Sequence, residues 1–263
     1  MFRDSRYLAA AMVLGIGLAS APAWAQVIVV QDSGGANPNT LGFTGAFGGA
    51  APGSASGGAW NISGGPWNTN YAQYILPASA ISSLNTALTW TFTATFGNLS
   101  TNTSPTYPGA PNSCGSYAAV SFGGYRFDLG ICSDGSGDQI LSVDPFTGSP
   151  TYTIAGLGTK PVTLSLIYTN STRNADVYVN GVDVIHSFAG GNQNTGEFVI
   201  FGGENRSFTN VELSYATASP TPTISLVANA ESQSATIAPN TWVEIKGSNL
   251  LPPAIRASGK API

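Results

Sequence analysis

Charge is what this chain has least of. Asp, Glu, Lys and Arg make up 8% of its 263 residues, against about 25% in an ordinary soluble domain. Long solvated helices, which clothe their outer faces in charge, are therefore not expected. Nine basic residues stand against thirteen acidic ones, a net charge of −4, which excludes a nucleic-acid binder that relies on neutralising phosphates. Histidine occurs once, as His186, and cysteine twice, as Cys114 and Cys132. That is too few for the usual zinc site with several His or Cys ligands. A serine triad could use the one histidine, but no Gly-x-Ser-x-Gly elbow is present and no triad is expected. His186 follows a hairpin strand and reads as ordinary surface. Past the N-terminus no apolar run is long enough to span a bilayer.

What is present points to β structure and export. Hydrophobic residues are 43% of the chain, enough for a core, and they come with 32 glycines and 17 prolines. Arg3 and Arg6 precede an apolar stretch from Tyr7 to Ser20, and Ala23-x-Ala25 fits the small-residue cleavage rule. Residues 1–25 thus read as a signal peptide cut near Ala25. The mature chain is expected to be secreted or held at the cell surface, without a membrane span. In that compartment disulfides persist. Alternating runs at Tyr117–Phe122 and Tyr125–Ile131 flank Gly123-Gly124, a hairpin signature. A turn there places Cys114 and Cys132 within one residue of opposite each other. A disulfide stapling the open end of the hairpin is expected; two buried free thiols are the alternative.

The period-2 signal runs through the rest of residues 26–216. In Ala87–Phe96, Leu88, Trp90, Phe92, Ala94 and Phe96 alternate with Thr89, Thr91, Thr93 and Thr95. One apolar face and one threonine face make a half-buried strand. Extended runs are also expected at Gln26–Val30, Leu41–Phe47, Trp60–Ile62, Asn70–Leu76, Val162–Tyr168, Glu197–Phe201 and Phe208–Tyr215, with one helical turn at Ser79–Leu84. Asn180-Gly181 lies between Asp176–Val179 and Val182–Ile185, the strongest hairpin signal in the chain, because a type I′ turn needs positive φ at both central residues. Many short strands at regular spacing predict an all-β fold, a two-sheet antiparallel β-sandwich of jelly-roll type with a short β tail. Residues 217–222 read as a Pro/Thr linker. Residues 223–263 hold two further strands, too few for a stable domain alone, and read as an incomplete β module or a docking tail.

Three segments carry a family resemblance: Thr163–Tyr168, Ala175–Val182 with its Tyr-Val-Asn-Gly hairpin, and Phe198–Gly203 ending in Gly202-Gly203. Their order resembles the end of the jelly roll in the laminin-G-like and concanavalin A-like lectin/glucanase family. The resemblance implies a lectin-like sandwich over about residues 26–216. Its motifs mark turns and close backbone approach rather than chemistry. Ile224–Ala230 and Ile237–Leu250 resemble the opening of an Ig-like C-terminal module of large exported bacterial proteins, with Asn240 where glycine is usual.

Glucanases of that family carry alternate carboxylates on one strand, serving as nucleophile and acid/base. Here Glu197, Glu204 and Glu212 are singletons, so enzymatic activity is not expected. Aromatics and amides are the more suggestive group. Flat rings stack on sugar C–H faces and amides meet hydroxyls. The candidate ligand-binding residues are Trp60, Trp67, Tyr71 and Tyr107, in or beside Asn-rich loops, together with Arg126 and Asp128, which alternate on one strand face. The competing reading has the aromatics plugging the ends of the sandwich. Asp134 and Asp138 flank Gly-Ser-Gly and would suit a calcium ion, though Asp and Gly are also turn formers. No other cofactor is implied. The expected function is a non-catalytic module that binds a glycan or a cell-surface protein. The alternatives are a structural or adhesive spacer of a larger exported protein and, further off, a divergent glycoside hydrolase.

Overall fold

A computed structural model describes residues 25–48, 52–62, 71–100, 116–144, 147, 149–192, 196–203, 206–217, 223–230 and 242–248. They fall into two units that divide between Ala218 and Ser219. The larger unit holds sixteen strands in chain order: β1 Ala25–Asp32, β2 Thr44–Gly48, β3 Ser54–Ser56, β4 Ala59–Ile62, β5 Tyr71–Pro77, β6 Thr89–Gly97, β7 Ser116–Phe122, β8 Tyr125–Ser133, β9 Gln139–Ser142, β10 Thr151–Ile154, β11 Val162–Thr169, β12 Asn174–Val179, β13 Val182–Phe188, β14 Gly191–Asn192, β15 Phe198–Gly203 and β16 Arg206–Thr217. Its described residues also hold three short 3-10 turns, at Pro38–Leu41, Ala78–Ala80 and Ser82–Thr86, and no α-helix.

The strands form two antiparallel sheets. The first runs β13-β12-β11-β6-β16-β4-β3, with β1 also paired to β16; the second runs β10-β9-β8-β7-β15-β5-β2, with β14 also paired to β8. Their inner faces meet in one core, as the alternation requires. Trp90, Phe92, Ala94 and Phe96 of β6 are all buried at 0%, while the threonines between them are half-buried. Trp90 stacks on Tyr168 with centroids 4.8 Å apart and meets Phe122 and Phe127 edge-on. A second aromatic group joins Phe43, Tyr74, Phe201 and Phe208. The all-β sandwich expected from the periodicity is the fold observed.

Both predicted hairpins form. Phe122 pairs with Tyr125 across Gly123-Gly124, and Val179 pairs with Val182 across Asn180-Gly181. Asn180 (φ 48°) and Gly181 (φ 81°) carry the two positive φ values of the type I′ turn. The expected strand at Leu41–Phe47 starts late. Pro38 and the Asn37 side chain, which accepts from the Asn39 N–H at 3.0 Å, set a 3-10 turn first, and Gly42 (φ 92°) ends it. The strands absent from the sequence reading, β3, β9, β10 and β14, have four residues or fewer, too short to show a period.

The second unit is described by one hairpin, β17 Thr223–Asn229 paired antiparallel with β18 Val243–Ser248. It exposes Ile224, Trp242 and Ile245 and buries Ala228. Among the described residues no helix is long and apolar enough to cross a membrane.

Candidate functional site

The two sheets differ on their outer faces. A half-buried strand leaves alternate residues in water, but every residue of β7 is buried, on both faces. The outer-facing set follows from the register. One row runs Ile75, Ile200, Ala119, Asp128; the next runs Gln73, Gly202, Tyr117, Gly130; a third runs Phe198, Ser121, Arg126. Tyr117, Ala119 and Ile200 form a small apolar cluster with Ile75 and Phe198, separate from the core.

Arg126 and Asp128 lie within this patch. They are two apart on β8, hence on one face. Arg126 Nε donates to Asp128 Oδ2 and Nη2 to Oδ1, both at 2.9 Å. This bidentate fork is the geometry of an ionised guanidinium–carboxylate pair. The Asp128 side chain is 4% exposed and that of Arg126 17%. The guanidinium carbon also lies 5.3 Å from the Tyr117 ring centroid and 5.9 Å from that of Phe198, within cation–π range. Burial pushes the Asp128 carboxyl up, the Arg126 charge pulls it back, and Asp144 adds to the upward push. Burial opposes the Arg126 charge, but the attraction and hydrogen bonds of Asp128 outweigh it, so Arg126 titrates above its ordinary value.

Glycines make room for this arrangement. Gly202 stands between Gln73 and Tyr117 in its row, and the Tyr117 hydroxyl donates across it to Gln73 Oε1 at 2.9 Å. A Cβ on Gly202 would collide with the Ala72 carbonyl oxygen and come within 2.6 Å of Gln73 Cα. Glycine there is required by close approach, as the Gly202-Gly203 motif implies. At the far edge, the Asp128 N–H donates to the Val143 carbonyl at 3.1 Å. The neighbouring Asp144 is buried and accepts from the Thr147 hydroxyl at 2.8 Å.

The structure therefore brings together two of the six expected ligand-binding residues, Arg126 and Asp128. Trp60 is a correction. It is 4% exposed and points between the sheets, edge-on to Tyr74 at 5.8 Å, so it has no open face for a sugar. On β4 the flanking Ala59 and Ile62 are buried too, which makes the strand interior rather than loop. Tyr71 begins β5, but its side chain, and Trp67 and Tyr107 entirely, lie outside the described residues. Asn61 spends its amide on the Ser56 and Ala59 carbonyls at the β3–β4 turn. Asp134 accepts from the Ser136 N–H and hydroxyl at 2.7 and 2.6 Å, and the bond from the hydroxyl does most to hold its carboxyl below the ordinary range. Asp138 accepts from the Gly156 N–H at 2.8 Å. Cys132, on β8, is not a free thiol, and Cys114 lies outside the described residues. Tyr117, Gln73, Phe198 and Asp144 were not singled out in the sequence. Tyr117 was within reach of the hairpin register; Gln73 and Phe198 are joined to it only through β15.

No protein-family model matches the chain, and no curated protein matches it at a significant level. Among solved structures, Trypanosoma rangeli sialidase is similar over 66% of this chain and 30% of its own, at 17% identity and a TM-score of 0.39. A botulinum neurotoxin type C structure, from a toxin whose cell entry depends on two ganglioside molecules, matches over 73% of this chain and 48% of its own, at 8% identity and a TM-score of 0.42. The binding domain of botulinum neurotoxin DC in complex with SialylT gives 9% identity and a TM-score of 0.41 over the same shares. This chain thus spans less than half the length of each. Likeness of that order identifies neither a shared function nor a shared site.

Proposed function

We propose that the larger unit is a lectin-like, non-catalytic module that binds carbohydrate on the outer face of its second sheet. The observation that supports this reading is the bidentate Arg126–Asp128 pair, held under Tyr117 and Phe198 on a face that a plain sandwich would leave to water. A buried ion pair adds little net stability, because desolvation offsets its attraction. Its presence is better explained by recognition. The half-buried Gln73, Phe198 and Arg126 are the parts of this face open to a ligand, and an amide, a ring and guanidinium N–H groups suit an uncharged, polyhydroxylated one.

The same geometry disfavours hydrolysis. Glycosidases need one carboxyl free to donate a proton and another free to attack or to activate water. Both oxygens of Asp128 are committed to Arg126, and those of Asp144 face Thr147. Membership of the laminin-G-like and concanavalin A-like group, export after cleavage near Ala25, an Ig-like second module and a Cys114–Cys132 bridge belong to the same proposal. The spacer reading makes the opposite prediction for ligands. A glycan array probed with the secreted protein, with and without calcium because of Asp134 and Asp138, separates the two. The module gives a saturable signal for a defined glycan class. A spacer gives none, and turnover of a β-glucan would instead support the hydrolase.

A further inference from the structure

The outer face of the first sheet carries a second cluster, at its β13 edge. In an unbroken strand, residues three apart point to opposite faces. Asp183 and His186 nevertheless meet, with His186 Nδ1 3.1 Å from Asp183 Oδ2. Two irregularities in the β12–β13 pairing make this so. Tyr178 pairs with Asp183 and Val177 with Ile185, which leaves Val184 as an extra residue; Ala175 then pairs with Phe188, which leaves His186 and Ser187 together opposite Asp176. Bulges of this kind re-aim side chains. Here they keep Ile185 in the core and place Asp176, Asp183 and His186 side by side outside. Ser187 holds a positive φ of 52°, and its N–H donates to Asp176 Oδ1 at 2.8 Å.

One donor atom from each of the three residues lies within 4.8 Å of the others. Asp183 Oδ1 is shielded from solvent and accepts no hydrogen bond. Metal–ligand bonds of about 2.0–2.2 Å set neighbouring donors about 3–3.5 Å apart. The side chain of His186 is 71% exposed, so its imidazole is free to adjust toward an ion.

We propose that Asp176, Asp183 and His186 bind one divalent transition-metal ion of the zinc class. The imidazole favours that class over calcium or magnesium, which prefer oxygen alone. The two carboxylates match the charge of the ion. Three protein ligands leave further positions for water or an oxygen donor of a partner.

The test uses the tag-free full chain, dialysed against EDTA and then titrated with zinc. His186 is the sole histidine, so its imidazole resonances report the site without assignment ambiguity. Saturable binding of one equivalent is expected, with a shift of the His186 signals, and a loss of at least tenfold in affinity in His186→Ala and in Asp183→Asn. Glu212→Gln, at a carboxylate elsewhere on the first sheet that accepts from Gln31, keeps full affinity. Asp183→Asn, isosteric, serves as the second variant if His186→Ala does not fold, and thermal melts check both. His186 signals unmoved by excess zinc, or affinity unchanged in both variants, overturns the proposal.

Discussion

The two outer faces of the sandwich spend their polar groups differently. On the first sheet, hydroxyls face one another across strands: Thr93 with Ser165 and Thr95 with Thr163, each at 3.0 Å, all half-buried. Each such pair is neutral and near water, and worth little. On the second sheet an ion pair is buried among rings. There the polar groups are few and removed from water, so leaving one unpaired is costly. A face of the first kind is what period-2 alternation produces by default. A face of the second kind needs a reason beyond folding.

Mutations separate the two faces, and the largest effect is expected on the second. Arg126→Met leaves the Asp128 carboxylate buried and alone, and should lower unfolding free energy by about 3–5 kcal/mol in a urea titration. Gly202→Ala should cost about 1–3 kcal/mol in the same assay, because the new methyl meets the β5 backbone and parts Tyr117 from Gln73. Asp32 offers the opposite sign. Burial pushes its carboxyl up, and the Gly34 N–H bound to Oδ1 at 2.8 Å only partly offsets that. A folded-state value above the unfolded one means the group favours folding at low pH and loses that contribution as pH rises through the folded value. Asp32→Asn keeps the acceptor and removes the charge. It should raise the melting temperature by about 2 °C at neutral pH, and the gain should vanish below the ordinary carboxylate range. Thr93→Val, on the first face, should stay within about 0.5 kcal/mol of wild type. The smallest effect is at Asp134, whose carboxyl is held low by Ser136. Its contribution is present above the ordinary carboxylate value and lost as pH falls through the lowered one, so the Ser136 amide should lose exchange protection only in acid.

The fold was legible where its causes are local. The threonine alternation on β6, Gly123-Gly124 and Asn180-Gly181 each dictate structure through neighbours in sequence. The site was legible in half. Arg126 and Asp128 share a face by spacing alone, whereas Phe198 and Gln73 reach them through β15, paired with β7 and β5 far away in sequence. Trp60 misled because its surroundings are rich in glycine and asparagine, yet β4 pairs with β16 and turns the indole inward. The meeting of Asp183 and His186 could not be read, since it depends on bulges that alternation rules do not foresee.

The double variant Arg126→Met/Asp128→Leu tests the central claim most directly. Both charges are removed, so no carboxylate is left buried and unpaired, and stability should return to near wild type. If the pair exists for recognition, the glycan that wild type binds should no longer bind to this folded protein at any concentration that saturates wild type. Unchanged affinity in a folded double variant would contradict the account.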